Sequence, residues 1–360
     1  MRQSLIKGLS EKDMQAVLNT YNVREFVYPT LFPFKFTPTL TWKSLSGNMG
    51  APVAADVVAY DATAPRKTRK IVERAQGDIP KIEISRVKGE LELNEYFQLQ
   101  HYANTTEGAR ALIDFIYDDM EFCWDGVNAR LEWLAMTALS TGQVALAKTT
   151  NAGIVTETAV DFLVPAAQKT KMSAANRKWD TAATAKPITD IKAIVKLGKA
   201  KGIRLTHMFM NQDTFDHMVA CTETINFAAS WVLRATNLSR NPALPDINAA
   251  LRQENLPEIV VIDSLVTIEQ DNGTQTAVNP WSAGKVTFTP SLNVGYTYHA
   301  PLADELVGGS AALKVKRNHV LIKKFSVEEP TAEITKALAN AFPVWNDSSK
   351  SWIVDTLAND

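Results

Sequence analysis

The sequence predicts an α+β fold: an extended amino-terminal arm, a charged β-hairpin, one outsized helix, an α/β block and a closing β segment. Three observations carry this. Aromatic rings and prolines alternate between Val23 and Thr41, apolar residues recur at three- and four-residue steps from Leu112 to Ala138, and helix and strand patterns then alternate from Ile188 to Ile262. The chain has 360 residues, 46% of them hydrophobic and 21% charged, a globular balance with room for about two or three compact units.

Ser10 followed by Asp13 has the form of a capping box, and Met14, Val17 and Leu18 supply one apolar stripe, which predicts a helix of about three turns. Beyond it, Pro29, Pro33 and Pro38 interrupt a run holding Phe26, Tyr28, Phe32, Phe34 and Phe36. Proline breaks helices and central strands, so this arm is extended. Its rings either enter the chain's own core or dock on another subunit; docking is the reading adopted, because proline-interrupted apolar chain forms no compact core alone.

β-like runs at 53–60 and 81–93, with a turn near Gly77 and Asp78, predict one long hairpin. Ile82 and Ile84 share a face, whereas Val87, Leu91 and Leu93 have the opposite parity, so a bulge near Ser85 and Arg86 is expected. Arg66, Lys67, Arg69, Lys70 and Arg74 gather near the tip, and Glu83, Glu90, Glu92 and Glu95 crowd the returning side. Such a charge run can be a plain solvated face. A two-stranded ribbon is marginal in water by itself, however, which favours its lying on a neighbour of complementary charge.

Asn104 with Glu107 marks the start of the strongest helix pattern and Gly142 its stop. Leu112, Ile116, Met120, Cys123, Val127, Leu131, Leu134 and Ala138 form its stripe, predicting one helix over 105–141. At 1.5 Å per residue it reaches roughly 50 Å, a beam far longer than the ~11–12 residues of an ordinary globular helix. Cys123 on that stripe is core filler. A hairpin with strands near 143–149 and 154–164 follows. The α/β block comprises a helix at 188–201, a strand at 203–210, short helices near Phe215 and over Leu244–Leu251, and a buried strand at Ile259–Ile262. Val286–Thr289, Val294–Tyr298, Leu313–Phe325 and Trp352–Leu357 close the chain as β segments.

Composition and motifs exclude more than they support. Thirty-eight basic against 39 acidic residues leave a net charge of −1, so there is no chain-wide footprint for nucleic acid or anionic lipid. No apolar run approaches the ~18–20 residues of a membrane span. Glu11, Lys12 and Asp13 stand where a signal peptide needs apolar chain, and two cysteines cannot make a disulfide framework or a four-ligand zinc site; a soluble protein of the cytoplasm is expected. His101, His207, His217, His299 and His319 lie in no metal motif, and nucleotide and acyl-transfer motifs are missing. Asp118 and Asp119 are expected to be solvated. The basic cluster of Lys169, Lys171, Arg177 and Lys178 beside Trp179 is read as ordinary surface, since neutrality argues against strong phosphate contact. No catalytic, cofactor or metal residue is expected.

The order of elements resembles the major capsid protein of tailed bacteriophages, the Hong Kong 97 fold, and specifically the lambda-like major capsid protein E family. The residues that carry the likeness are YPTLFPFKFTPTLTWKSLSGNMGAPV at 28–53, DIPKIEISRVKGELEL at 78–93, the passage from Lys178 to Met218, and PVWNDSSKSWIVDTL at 343–357. The resemblance implies an N-terminal arm (1–52), an extended loop (53–100), a peripheral domain (101–186 and 321–360) containing the spine helix, and an axial domain (187–320). It implies identical chains forming pentamers and hexamers that close into an icosahedral head around double-stranded DNA, contacted weakly and without sequence preference. The head would be a virion capsid built in the host bacterial cytoplasm with a portal and a decoration protein. A separate scaffold protein is expected because only about fifty residues precede the ribbon. Subunit contacts are then expected from the loop (Arg66, Lys67, Arg69, Lys70, Arg74, Glu83, Glu90, Glu92) and the arm (Phe26, Tyr28, Phe32, Phe34, Phe36). A lysine–asparagine crosslink known in some members is not carried over to Lys67, Lys70 or Asn346. An encapsulin-like compartment of the same fold, or a hydrolase with a scattered site involving His207 or His217, are the competing readings.

Overall fold

Ser10 starts the first helix with both halves of a capping box: its hydroxyl accepts from the Asp13 amide at 3.3 Å, and the Asp13 carboxylate accepts from the Ser10 amide at 3.2 Å. This helix, α1 (Glu11–Leu18), buries Met14 and Leu18 completely. It belongs to a computed structural model that describes every residue except 1–3, 7–8, 22–25, 47–56, 58–59, 61–72, 103–105, 148–150, 152–157, 231–240, 271, 308–310 and 360. The arm continues as a single turn, α2 (Tyr28–Leu31), with Pro29 in its first turn where no helical hydrogen bond is forfeited, and as a short strand, β1 (Phe34–Phe36).

The hairpin differs from the expectation. β2 (Thr41–Ser46), rather than a strand at 53–60, pairs antiparallel with β3 (Glu73–Asp78); within 53–60 only Val57 and Tyr60 are described, and neither is in a strand. Trp42 lies opposite Gly77, and a Cβ there would sit 2.9 Å from the indole, so the ring needs the bare backbone. The returning strand, β4 (Lys81–Lys88), ends early, and after Gly89 the chain becomes α3 (Glu90–Tyr102). β4 pairs without interruption, so no bulge forms at Ser85 and Arg86. The parity conflict is resolved by a change of element instead: Leu91 and Leu93 sit on a helix, where residues two apart no longer share a face.

α4 (Thr106–Thr141) has 36 residues, about 54 Å of helix. Gly142 stops it at φ +79°. On the expected stripe, Met120, Cys123, Val127, Leu131, Leu134 and Ala138 are all buried. The helix then hands the chain to the expected hairpin, β5 (Gln143–Leu146) with β6 (Thr158–Asp161). The last part of the chain supplies β13 (Gly295–Ala300), the one-turn α9 (Ala303–Leu306), β14 (Leu313–Arg317), β15 (Val320–Glu328) and β16 (Thr331–Trp345). These build a six-stranded sheet across α4 in the order β1-β13-β16-β15-β14, with β4 also joined to β16. β16 is its centre. Residues 331–338 pair with β15, 333–340 with β4 and 340–345 with β13. Sequence patterning had missed most of this strand. Between α4 and β4 the fit is close: a Cβ on Gly126 would stand 2.5 Å from Ile84 Cδ1.

The second core belongs to the α/β block. β7 (Lys169–Met172), α5 (Pro187–Ala200), β8 (His207–Asn211), α6 (Gln212–Ala220), α7 (Thr222–Ala228), α8 (Leu244–Gln253) and β9 (Glu258–Ile262) precede a small hairpin of β10 (Val266–Glu269) and β11 (Gln275–Val278). Asn211 caps α6 by accepting from the Thr214 amide at 3.1 Å. With β12 (Lys285–Thr289) and β17 (Trp352–Asn359) the sheet order is β7-β17-β12-β8-β9. Trp179, Ile191, Met208, Met210 and Trp352 pack together against it. β17 thus lies in the sheet of the α/β block and β13 in the sheet of α4, so the two sheets do not divide at residue 320.

Candidate assembly surfaces

The arm aromatics fall into two groups. Tyr28 is fully buried: its hydroxyl donates to Asn128 Oδ1 at 2.7 Å, and its amide donates to Glu132 Oε2 at 2.8 Å. Burial and the neighbouring Glu132 carboxylate hold the phenol well above its ordinary pKa, and burial raises that of Glu132. Phe32 is equally buried. These two correct the expectation of docking on another subunit. They fill this chain's own core, because α2 tucks the proline-rich segment under the sheet and α4 supplies partners for its polar atoms. Phe26 is half-buried against Tyr28, and Phe34 is half-buried on His319. Phe36, at 58% exposure, is the arm ring left within reach of a second chain.

Arg66, Lys67, Arg69 and Lys70 lie outside the described residues. Arg74 is in β3, opposite Leu45. Of the acidic residues expected on one returning strand, only Glu83 is in β4, where it pairs with Lys336 and with Lys81 at 2.5 Å. Glu90 and Glu92 open α3 instead, and Glu92 accepts from the Gly89 amide at 2.9 Å, at the helix end that favours a carboxylate.

An ionic cluster missed by sequence reasoning sits where α4, β4, β15, β16 and the first described residues meet. Lys88 Nζ is 2.8 Å from Asp119 Oδ2, with both side chains under 10% exposed. Arg86 reaches over to Asp118 at 2.8 Å, so Asp118 is solvated as expected whereas Asp119 is buried. Lys324, fully buried, donates to the Ile116 carbonyl at 2.8 Å, and burial lowers its pKa to about 8. Glu333 accepts from Ser4 Oγ at 2.5 Å and from the Leu5 amide at 2.9 Å, fastening the start of the chain to β16. The signal that would have found the cluster is a cross-strand pair, Lys88 opposite Glu333, legible only once β16 is recognised.

None of this resembles an active site. Among the described residues no group of three His, Cys, Asp or Glu could hold a metal ion. Cys123 and Cys221 are buried, and burial pushes their thiols up to about 12 and about 11, far from nucleophilic thiolates. His207 shares a 2.8 Å hydrogen bond with Thr206 and lies opposite Glu258 across the β8–β9 pairing; burial lowers its pKa and the Glu258 carboxylate opposes that shift. No described helix is long and apolar enough to cross a membrane. The open surfaces are instead suited to contact: a half-open groove of about 860 Å³ runs between α4, β4 and β10, with Phe122 and Leu265 exposed at its margin.

A family model described as phage major capsid protein E matches residues 54–347. No curated protein matches the chain in sequence. Among solved structures, one assigned as a capsid protein of a prophage of Escherichia coli CFT073 superposes with a TM-score of 0.59 at 15% identity, covering 96% of this chain and 99% of that one. A phage-related protein from Bordetella bronchiseptica RB50 gives 0.54 at 10% identity, covering 99% and 98%. At such identities the structures speak for the fold, the Hong Kong 97 type, and the family match speaks for the role, a structural one without catalysis. The chain belongs to the phage major capsid protein E family.

Proposed function

We propose that the chain assembles into pentamers and hexamers that close into an icosahedral head around double-stranded DNA, in the cytoplasm of a bacterial host. The observation that carries this is the family match over residues 54–347, on a chain that leaves Phe36, Leu91, Leu265 and Leu306 open to solvent. Rings of identical chains use head-to-tail contacts, so each subunit presents two different surfaces. The loop around Arg66, Lys67, Arg69, Lys70 and Arg74, with Phe36 of the arm, is one; the groove beside α4 and the acidic start of α3 at Glu90 and Glu92 is the other. A near-neutral net charge suits a wall beside DNA, because a strongly cationic lining would hold phosphate and hinder filling. A separate scaffold protein, a portal and a decoration protein complete the particle in this reading, with the arm, loop and peripheral divisions at residues 52, 100 and 186.

Electron microscopy of the chain expressed with its neighbouring genes tests it. Closed shells of uniform size with five- and six-fold capsomers and DNA inside are expected; shells holding an enzyme, or a species that stays monomeric under every assembly condition, overturn it. Changing Arg66, Lys67, Arg69 and Lys70 together to Glu is expected to abolish shells while leaving subunit unfolding unchanged; a large loss of subunit stability would instead make the cluster part of the chain's own fold.

A further inference from the structure

His319 occupies the turn between β14 and β15 at 2% exposure, and neither ring nitrogen has a hydrogen-bond partner. Buried polar groups normally have at least one. Phe34 of the arm strand lies flat on the imidazole, with ring centroids 4.5 Å apart, and Trp124 of α4 stands 6.1 Å away. The ring is therefore roofed by the arm and walled by the spine helix.

The surrounding charges offer an imidazolium no welcome. From β13 comes His299, itself edge-on to Phe34 at 6.4 Å. From β14 come Lys316, paired with Glu305 of α9 at 2.7 Å, and Arg317, whose guanidinium covers Trp124 and donates to the carbonyls of Leu18 and Tyr21. From α4, Asn128 and Glu132 are both engaged by Tyr28, which also meets Phe34 edge-on at 5.9 Å. Lys35 of β1 points to Tyr296 and Tyr298. Thus both oxygens of Glu132 are taken, by Tyr28 and Ser264, and Glu305 gives one oxygen to Lys316 while its other is buried without a hydrogen bond; the closest charges to the ring, His299 and Lys316, share the sign a proton would bring.

We propose that His319 is a proton-operated latch for the arm: the neutral ring seats Phe34 and β1 on the sheet, and protonation drives them off. Nothing in this depends on what the shell encloses.

The sign follows from linkage. Burial first, then His299 and Lys316, depress the docked ring to about 3, whereas a ring uncovered by the arm titrates near the ordinary ~6.5. The docked arm is therefore favoured in full above the free value and weakens as pH falls through the window between the two. Each pH unit below the free value costs about tenfold, so pH 5.0 should raise the open fraction of the arm about 30-fold over pH 7.5.

Hydrogen exchange of the unassembled full-length chain, corrected for intrinsic rates, reads this directly. Residues 26–40 should lose protection on going from pH 7.5 to 5.0 while the C-terminal half of α4 does not. His319→Phe keeps an aromatic ring under Phe34 and should abolish the pH response; His299→Phe should leave most of it. A wild-type arm whose protection does not change, or a His319→Phe arm that opens as the wild type does, overturns the proposal. Should the variant fail to fold, NMR titration of His319 in the native chain decides. No protonation step above pH 5 in the docked state supports the latch, and a step near 6.5 with the arm still seated sinks it.

Discussion

The two halves of α4 live in different surroundings although they are one continuous helix. None of residues 110–118 is buried, whereas from Leu131 to Ser140 every residue except Thr137 is. The C-terminal half is set in apolar core between the two sheets, with Leu131, Leu134 and Leu139 at 1% exposure or less. The N-terminal half rests on β4 through charge: Arg86 and Lys88 on one side, Asp118 and Asp119 on the other. A helix so long thus works as a beam clamped at one end and pinned at the other. Stability should reside in the clamp, and freedom to bend in the pinned end, where few apolar contacts resist opening.

Four tests sharpen or break that contrast. The largest effect is expected in the clamp: Leu134→Ala should cost about 4 kcal/mol in urea unfolding, in the upper part of the usual range because the packed site has little room to collapse. Leu112→Ala, at a half-buried position of the pinned end, should cost less than about 1 kcal/mol, and equal losses would erase the distinction. Next comes the pin itself. Asp119→Ala leaves Lys88 buried without its partner and should cost about 3 kcal/mol, while Asp119→Leu combined with Lys88→Met should recover most of that.

Lys324 supplies a pH test. Its folded value is depressed to about 8 from an ordinary 10.5, so the unfolded chain holds the proton more tightly and stability rises with pH between those values. The wild type should gain up to about 3 kcal/mol relative to Lys324→Met between pH 8 and 10.5. Parallel pH curves for the two proteins would mean that the ammonium is not desolvated by the fold. The smallest effect belongs to Arg86→Ala. Its partner Asp118 is 64% exposed, so the loss should stay under about 1 kcal/mol and shrink in high salt.

How much of this was legible in the sequence follows from what each element buries. α4 was readable end to end because apolar residues recur at three- and four-residue steps along its whole length, and because Gly142 supplies a chemical stop. The α1 capping box was readable for the same kind of reason. β16 was not. Fourteen of its residues from Ala332 onward are almost all buried, so it shows no alternation; its alanines favour a helix, and Pro343 argues against a central strand. Without β16 the destination of β4 cannot be read either, and the sequence from Lys81 to Leu93 reads as a single strand. The arm shows the opposite failure. Prolines correctly excluded a long helix, yet sequence could not disclose that Asn128 and Glu132, a hundred residues away, would satisfy Tyr28. For the proposed assembly surfaces, sequence offers the cations at 66–74 and Phe36 as candidates, but contact pairs between chains are a property of two surfaces together, and one chain's pattern holds only half of each.

β16 and β17 are interior strands of the two principal sheets, and both are encoded after residue 330. The middle of both layers therefore comes from chain beyond residue 330. A polypeptide that stops short of that point leaves β4, β13 and β15 on one side and β7 and β12 on the other without the strand that joins them, presenting unpaired edges to proteases and to one another.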